Sequence, residues 1–261
     1  MVVRDELATA DYFTKIIEKI RSMFIDPISA DVNEHLQEEP NLDIATGSLY
    51  SLSNQRLRIA WTAYTRGDSI EDVRAEVIGA AEDLGYFNQM MVRHPEFIGG
   101  RTSYMSNMKW IIHAILYRLE GDALANILAY IDMRKLSDPL HDSLLHYVRH
   151  RELPNPTPTG EGFYANLRQE LYDALDAPPE QASKLLHDYI HDWYARNEKD
   201  REIGATGIGS HKKMIRYTGY WAWDAAAVVL AADINDTTFA NHTHYPTELA
   251  DWARTQQPNP T

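Results

Sequence analysis

Three features of this 261-residue chain predict an all-α protein, a multi-helix bundle of roughly ten helices. Apolar residues recur at three- and four-residue intervals almost throughout, and the strict alternation expected of strands is nearly absent. Capping residues, glycines and prolines interrupt that periodicity at short intervals, as in helices joined by brief connections. One late segment, Met214 to Ala232, is apolar nearly all round, which predicts a central helix rich in alanine and aromatic residues.

Asp11 to Met23 sets Tyr12, Phe13, Ile16, Ile17, Ile20, Met23 and Phe24 on one helical face, and Asp26-Pro27 is expected to break that helix. Ser29 to Gln37 reads as a shorter acidic helix. Ser48 to Arg66 carries Leu49, Leu52, Leu57, Ala60, Trp61 and Tyr64 and ends at Gly67. Ser69-Ile70-Glu71-Asp72 is a capping box, because the serine hydroxyl can accept from the backbone N–H three residues on. The helix it starts runs from Ile70 to about Val92, and His94-Pro95 with Gly99-Gly100 marks a loop. Thr102 to Leu119, Asp122 to Asp132 and Pro139 to His150 follow as further helices.

Pro154, Pro156, Pro158, Gly160 and Gly162 make 151–162 the best linker candidate. It divides the chain into an N-terminal helical region, 1–150, and a C-terminal helical region, 163–261, expected to pack on each other. The second region opens with a helix from Phe163 to Leu175. The helix after Asp176-Ala177-Pro178-Pro179-Glu180 has two chemically distinct sides. At about 100° per residue, Leu185, Leu186, Tyr189, Ile190, Trp193 and Tyr194 share one half-circle, with His187, Asp188, His191 and Asp192 on the other.

Composition bears on function directly. Lysine and arginine number 25 against 38 acids, a net charge of −13 that both halves share, and no basic patch is available to neutralise phosphates. That balance argues against direct nucleic-acid binding and suits solubility and steering towards a basic partner. With no cysteine, neither a disulfide framework nor a cysteine-ligated metal is available. No uncharged apolar run approaches the roughly 20 residues of a membrane span, and Met1 to Glu6 does not lead into a signal peptide's apolar core. A soluble cytoplasmic protein is expected.

Several residues invite a catalytic reading. His187 and His191, four apart, could ligate one metal from a single helical face with Asp188 or Asp192 as a further donor, the basis for a metal-dependent hydrolase. The same four residues also fit a solvated face. His146 and His150 repeat the spacing, and the glutamate of a His-Glu-x-x-His motif is absent, so no metal or cofactor is expected. Gly204 to Gly209 with Lys212-Lys213 imitates a phosphate loop, but no strand precedes it, and a connection into the next helix accounts for the glycines. His242-Thr243-His244 decorates the turn before Pro246. Asp224, a lone acid in an apolar helix, must find donors or an opposite charge. It fits a structural anchor better than a catalytic acid, because no second acid or histidine lies within one turn.

The run from Tyr217 through Gly219-Tyr220-Trp221, Asp224 and Ala225-Ala226-Ala227, continuing past Asp236 to Tyr245-Pro246 and Leu249, resembles the C-terminal domain of the PoNi immunity proteins. Bacteria make these to neutralise PoNe-type DNase toxins delivered by type VI secretion and related contact-dependent systems. The family often carries glutamate at the position of Asp224 and a second aspartate at that of Asn235. The resemblance implies a protein without catalysis or cofactor that docks on a cognate DNase and occludes its active or DNA-binding surface. A helical scaffold for another basic protein is the other non-enzymatic alternative. The partner-contact candidates are Glu34, Glu38, Glu39, Asp188, Asp192, Glu198, Asp200 and Glu202.

Overall fold

A computed structural model describes residues 3–30, 32, 42–94, 104–133, 136–160, 162, 166, 168–199 and 217–256. These form helices α1 (Ala10–Ile20), α2 (Asp26–Ala30), α3 (Leu42–Arg66), α4 (Ile70–Arg93), α5 (Tyr104–Leu116) and α6 (Gly121–Asp132), followed by α7 (Pro139–His150), α8 (Gln169–Asp176), α9 (Pro179–Lys199), α10 (Trp223–Ala231) and α11 (Thr247–Thr255). No strand occurs among the described residues, so the all-α expectation holds. The helices sort into two compact units. The first holds α1 to α4, α6 and residues 217–219, and the second holds α5, α7 to α11 and the segments joining them. The Pro/Gly-rich stretch 151–162 lies inside the second unit.

In the first unit, α3 and α4 form an antiparallel pair on which α1 and α6 pack. Gly67 turns the corner at φ +99°, a left-handed conformation that suits glycine. The Ser69 hydroxyl then caps α4, accepting from Asp72 N–H at 3.1 Å. Asp26-Pro27 does not break the first helix. A π turn, Arg21–Ile25, carries the chain into α2, with Asp26 N–H bonded to the Arg21 carbonyl. The five-residue turn advances the phase, burying Ile25 while Met23 is 56% exposed, contrary to the face expected from regular periodicity. α3 begins at Leu42, earlier than expected, so Gly47 lies within it. Polar groups bind the unit internally: Arg56 donates to Asp83 at 2.6 Å, and Asn88 donates to the Asn126 carbonyl at 2.8 Å across a contact that Gly85 leaves open. Burial raises the Asp83 carboxyl above its ordinary range despite the Arg56 partner.

In the second unit α10 is central, touching α5, α7, α8, α9 and α11. Ala225, Ala226 and Ala227 are fully buried, and their small side chains permit that close approach. The helix is shorter than the expected 214–232. Residues 217–222 are irregular, Gly219 adopts φ +95°, and Ala222 N–H is drawn to the His244 carbonyl at 2.8 Å instead of to a helical partner. α8 runs from Gln169, with Arg168 at φ −128° turning its side chain into the unit; the expected start at Phe163 lies outside the described residues. The stretch 151–160 is tied down by Tyr172, which donates to the Pro158 carbonyl at 2.7 Å, and by the Thr157 hydroxyl, which donates to Asp176. Gly162 lies against Asp138, whose carboxylate caps α7 by accepting from Leu140 and His141 N–H. Among the described residues no helix is long and apolar enough to cross a membrane.

Candidate functional site

Asp224 opens α10 and is 9% exposed. Its Oδ2 accepts from the Tyr189 hydroxyl at 2.7 Å and faces Arg168 Nε at 3.6 Å, while Oδ1 accepts from Ala225 N–H at 3.0 Å. Arg168, 5% exposed, also donates to Asn197 Oδ1 at 3.0 Å, and Asn197 donates to the Trp193 carbonyl at 2.8 Å. One carboxylate therefore joins α9 and α10 through the Tyr189 and Ala225 donors, and the start of α8 through the charge of Arg168. Such an arrangement stabilises a buried charge and leaves little room for proton transfer to a ligand.

Asp236 repeats the device below α10. It is 7% exposed and accepts from the Tyr245 hydroxyl at 2.7 Å and from Arg254 Nη2 at 2.6 Å. Burial, with the Asp236 charge beside it, pushes the Tyr245 phenol far above its ordinary range, so it remains a donor. Pro246 precedes α11 and is buried. Tyr220 and Trp221 are buried in the second unit, and the Tyr220 ring meets Tyr194 edge-on at 5.5 Å. Tyr217 instead belongs to the first unit, where its hydroxyl donates to Asp5 and its N–H donates to Tyr12 Oη at 3.1 Å. Between Gly219 and Tyr220 the chain passes from one unit to the other.

The outer side of α9 is the most open chemical surface among these residues. His187, Asp188, His191 and Asp192 have side chains 47%, 57%, 74% and 59% exposed. Each aspartate lies 3.2 Å from Nδ1 of the histidine before it. Glu198 is half-buried further along the helix. Glu34, Glu38, Glu39, Asp200 and Glu202 lie outside the described residues, as do Gly204 to Gly209 and Lys212-Lys213. The described residues include no group of three His, Asp or Glu side chains arranged to hold a metal ion. His187 and His191 do share a half-open cleft of about 180 Å³ with Thr237, Thr238, Phe239, Asn241 and His242.

Sequence reasoning missed Arg168, Arg254 and His242. Arg168 falls within the helix expected from Phe163 to Leu175, where nothing local points to Asp224, and Arg254 stands 18 positions from Asp236, a spacing no helical pattern selects. The sequence around His242 reads only as a turn. A signal did exist for Asp224 and Asp236, since any buried acid demands a partner, but not for which cation would answer.

The fold and these sites define an all-helical protein whose second unit is organised around carboxylates satisfied from within. Residues 137–249 match the model of the family described as PoNe immunity proteins (PoNi), C-terminal. Over that stretch the chain is similar to this family of immunity proteins. No curated protein matches the chain. Protein PA2201 from Pseudomonas aeruginosa, a solved crystal structure, is similar in fold at a TM-score of 0.69 and 16% identity, over 98% of this chain and 92% of that one.

Proposed function

We propose that this protein binds a cognate DNase toxin and neutralises it by covering the toxin's active or DNA-binding surface, without catalysis of its own. The family match over 137–249 carries this reading. The resemblance to PoNi proteins suggests a toxin delivered by type VI secretion or a related contact-dependent system, met in the cytoplasm. A nuclease surface that holds DNA is basic, and the chain's net charge of −13 favours encounter with it. Asp188 and Asp192, exposed on the outer side of α9, can stand in for phosphates.

The test is co-purification with the product of the adjacent toxin gene, with DNA cleavage scored at low and moderate salt. Tight association that abolishes cleavage, with an on-rate falling as salt rises, is expected. Reversing Asp188 and Asp192 to lysine together should slow association by about tenfold while leaving the helical circular dichroism spectrum unchanged. No association and no protection would overturn the pairing, and unaltered kinetics in the double variant would remove this face from the interface.

A further inference from the structure

Tyr217 is fully buried, and its partners come from the other end of the chain. Its hydroxyl donates to Asp5, its N–H donates to Tyr12 Oη at 3.1 Å, and its ring lies 5.9 Å from that of Phe13. The next residue is tied to the same place, because the Thr65 hydroxyl at the end of α3 donates to the Thr218 carbonyl at 2.6 Å. All of these residues belong to the first unit. Tyr217 lies inside the stretch 137–249 that matches the family, whereas Asp5, Tyr12 and Phe13 lie well before it.

The segment before α1 is fastened by two neighbouring side chains that reach in different directions. Arg4 grips the end of α3. Its N–H donates to the Thr65 carbonyl at 3.0 Å, and its Nη1 donates to the carbonyls of Tyr64 at 2.6 Å and Asp68 at 2.9 Å. These bonds answer carbonyls that a helix leaves without intrahelical donors at its C-terminal end. The guanidinium also lies 4.4 Å from the Tyr64 ring centre. Asp5 reaches towards Tyr217 with one oxygen, while the other accepts from Leu7 N–H at 2.9 Å and closes a turn. From Val3 to Thr9, Asp5 is the one buried residue, and Glu6, Leu7 and Thr9 are exposed. Polar bonds from Arg4 and Asp5, more than apolar burial, therefore secure this segment.

A segment held in this way opens locally, at a smaller cost than unfolding the helices it lies on. When Asp5 swings out, a hydroxyl that water does not reach loses an acceptor, and the penalty draws Tyr217 out as well. When Tyr217 leaves, a buried carboxylate loses a donor. Each movement thus favours the other, and the coupling is reciprocal. We propose that residues 4–9 are a latch: they and residues 217–219 open and close as one cooperative unit while α3 and α4 stay folded. The latch governs exposure of the Tyr217-Thr218-Gly219 backbone, the stretch by which the chain leaves the first unit.

The test is native-state amide exchange on the full chain, followed by NMR in low concentrations of denaturant. The amides of Arg4, Leu7 and Tyr217 should share one opening reaction with one dependence on denaturant, and Ala60 and Val77, fully buried in α3 and α4, should exchange through a slower one. Asp5→Ala should speed exchange at Tyr217 by about tenfold or more. It should leave Val77 unchanged, together with Ala222, whose N–H is bonded within the second unit. Tyr217→Phe should speed exchange at Arg4 and Leu7 by a comparable factor. Asp5→Asn, whose side-chain oxygen still accepts from the tyrosine hydroxyl, should give a clearly smaller gain at Tyr217 than Asp5→Ala. Separate openings for Arg4 and Tyr217 in the wild type would overturn the latch, a result that needs no variant. Exchange at Arg4 and Leu7 untouched by Tyr217→Phe would do the same. So would an Asp5→Ala protein in which Val77 speeds up as much as Tyr217, because Asp5 would then be an ordinary member of the core.

Discussion

Acidification should destabilise this protein through His113 before most carboxylates are protonated. The ring is 1% exposed on α5, its Nδ1 lies 2.7 Å from the Lys109 carbonyl, and burial lowers its pKa to about 4. A carbonyl only accepts, so the buried ring is neutral and carries its proton on Nδ1. In the unfolded chain the same group titrates near 6.5. The stability it contributes is therefore fully present above about pH 6.5 and is lost as pH falls from there towards about 4. Over the 1.5 units from 6.5 to 5, at about 1.4 kcal/mol per unit, the loss is about 2 kcal/mol, and it approaches about 3 kcal/mol at still lower pH. The assay is denaturant unfolding at about pH 7.5, 6 and 5 for wild type and for His113→Asn, whose amide can still donate to Lys109. The variant leaves a cavity and is weaker at every pH, so the informative quantity is the slope. Wild type should lose about 2 kcal/mol more than the variant between the highest and lowest pH. Equal slopes would refute the placement of a neutral imidazole in this core.

Three further perturbations probe the packing. Asp224→Ala removes the acceptor of Tyr189 and the charge opposite Arg168, and should cost about 3 kcal/mol or more in chemical unfolding, against about 1–2 kcal/mol for Asp224→Asn. Equal losses would mean the charge contributes nothing. Ala226→Leu inserts bulk into a fully buried position of the central helix and should lower stability by about 1–3 kcal/mol, read as a shifted melting temperature. Gly162→Ala would drive a Cβ into the Asp138 carboxylate and within 2.6 Å of Pro139 Cδ, disturbing the α7 cap, and should cost about 1–2 kcal/mol. An unchanged melting temperature in that variant would show that the stretch before α8 yields without resistance.

Much of the fold was legible because helical periodicity and caps act locally. Ser69 caps its helix as expected, and the two-sided composition of α9 follows its burial: Leu186, Tyr189, Ile190 and Trp193 inward, His187, Asp188, His191 and Asp192 outward. The misses arose where tertiary bonds override local preference. Nothing local announces that Ala222 N–H will pair with His244, or that the π turn at Arg21–Ile25 will pass Pro27 without ending the helical path. The partners of Asp224 and Asp236 were equally hidden, because a buried acid states a need and not the distant arginine that meets it. His242 entered the cleft by way of a turn whose course no periodicity encodes.

The division of α9 into two sides bears on how such a protein can change over time. Its inner residues Tyr189, Trp193 and Asn197 are fixed to the Asp224 and Arg168 network, so the helix is held in one rotation about its axis. The hydrogen bonds of His187, Asp188, His191 and Asp192 run between sequence neighbours, and Asp192 also lies 3.9 Å from Arg196 on the same helix. Substitution there leaves the register of the inner side intact. Selection can therefore rewrite the outer side position by position, each step tried on a scaffold that does not have to be rebuilt.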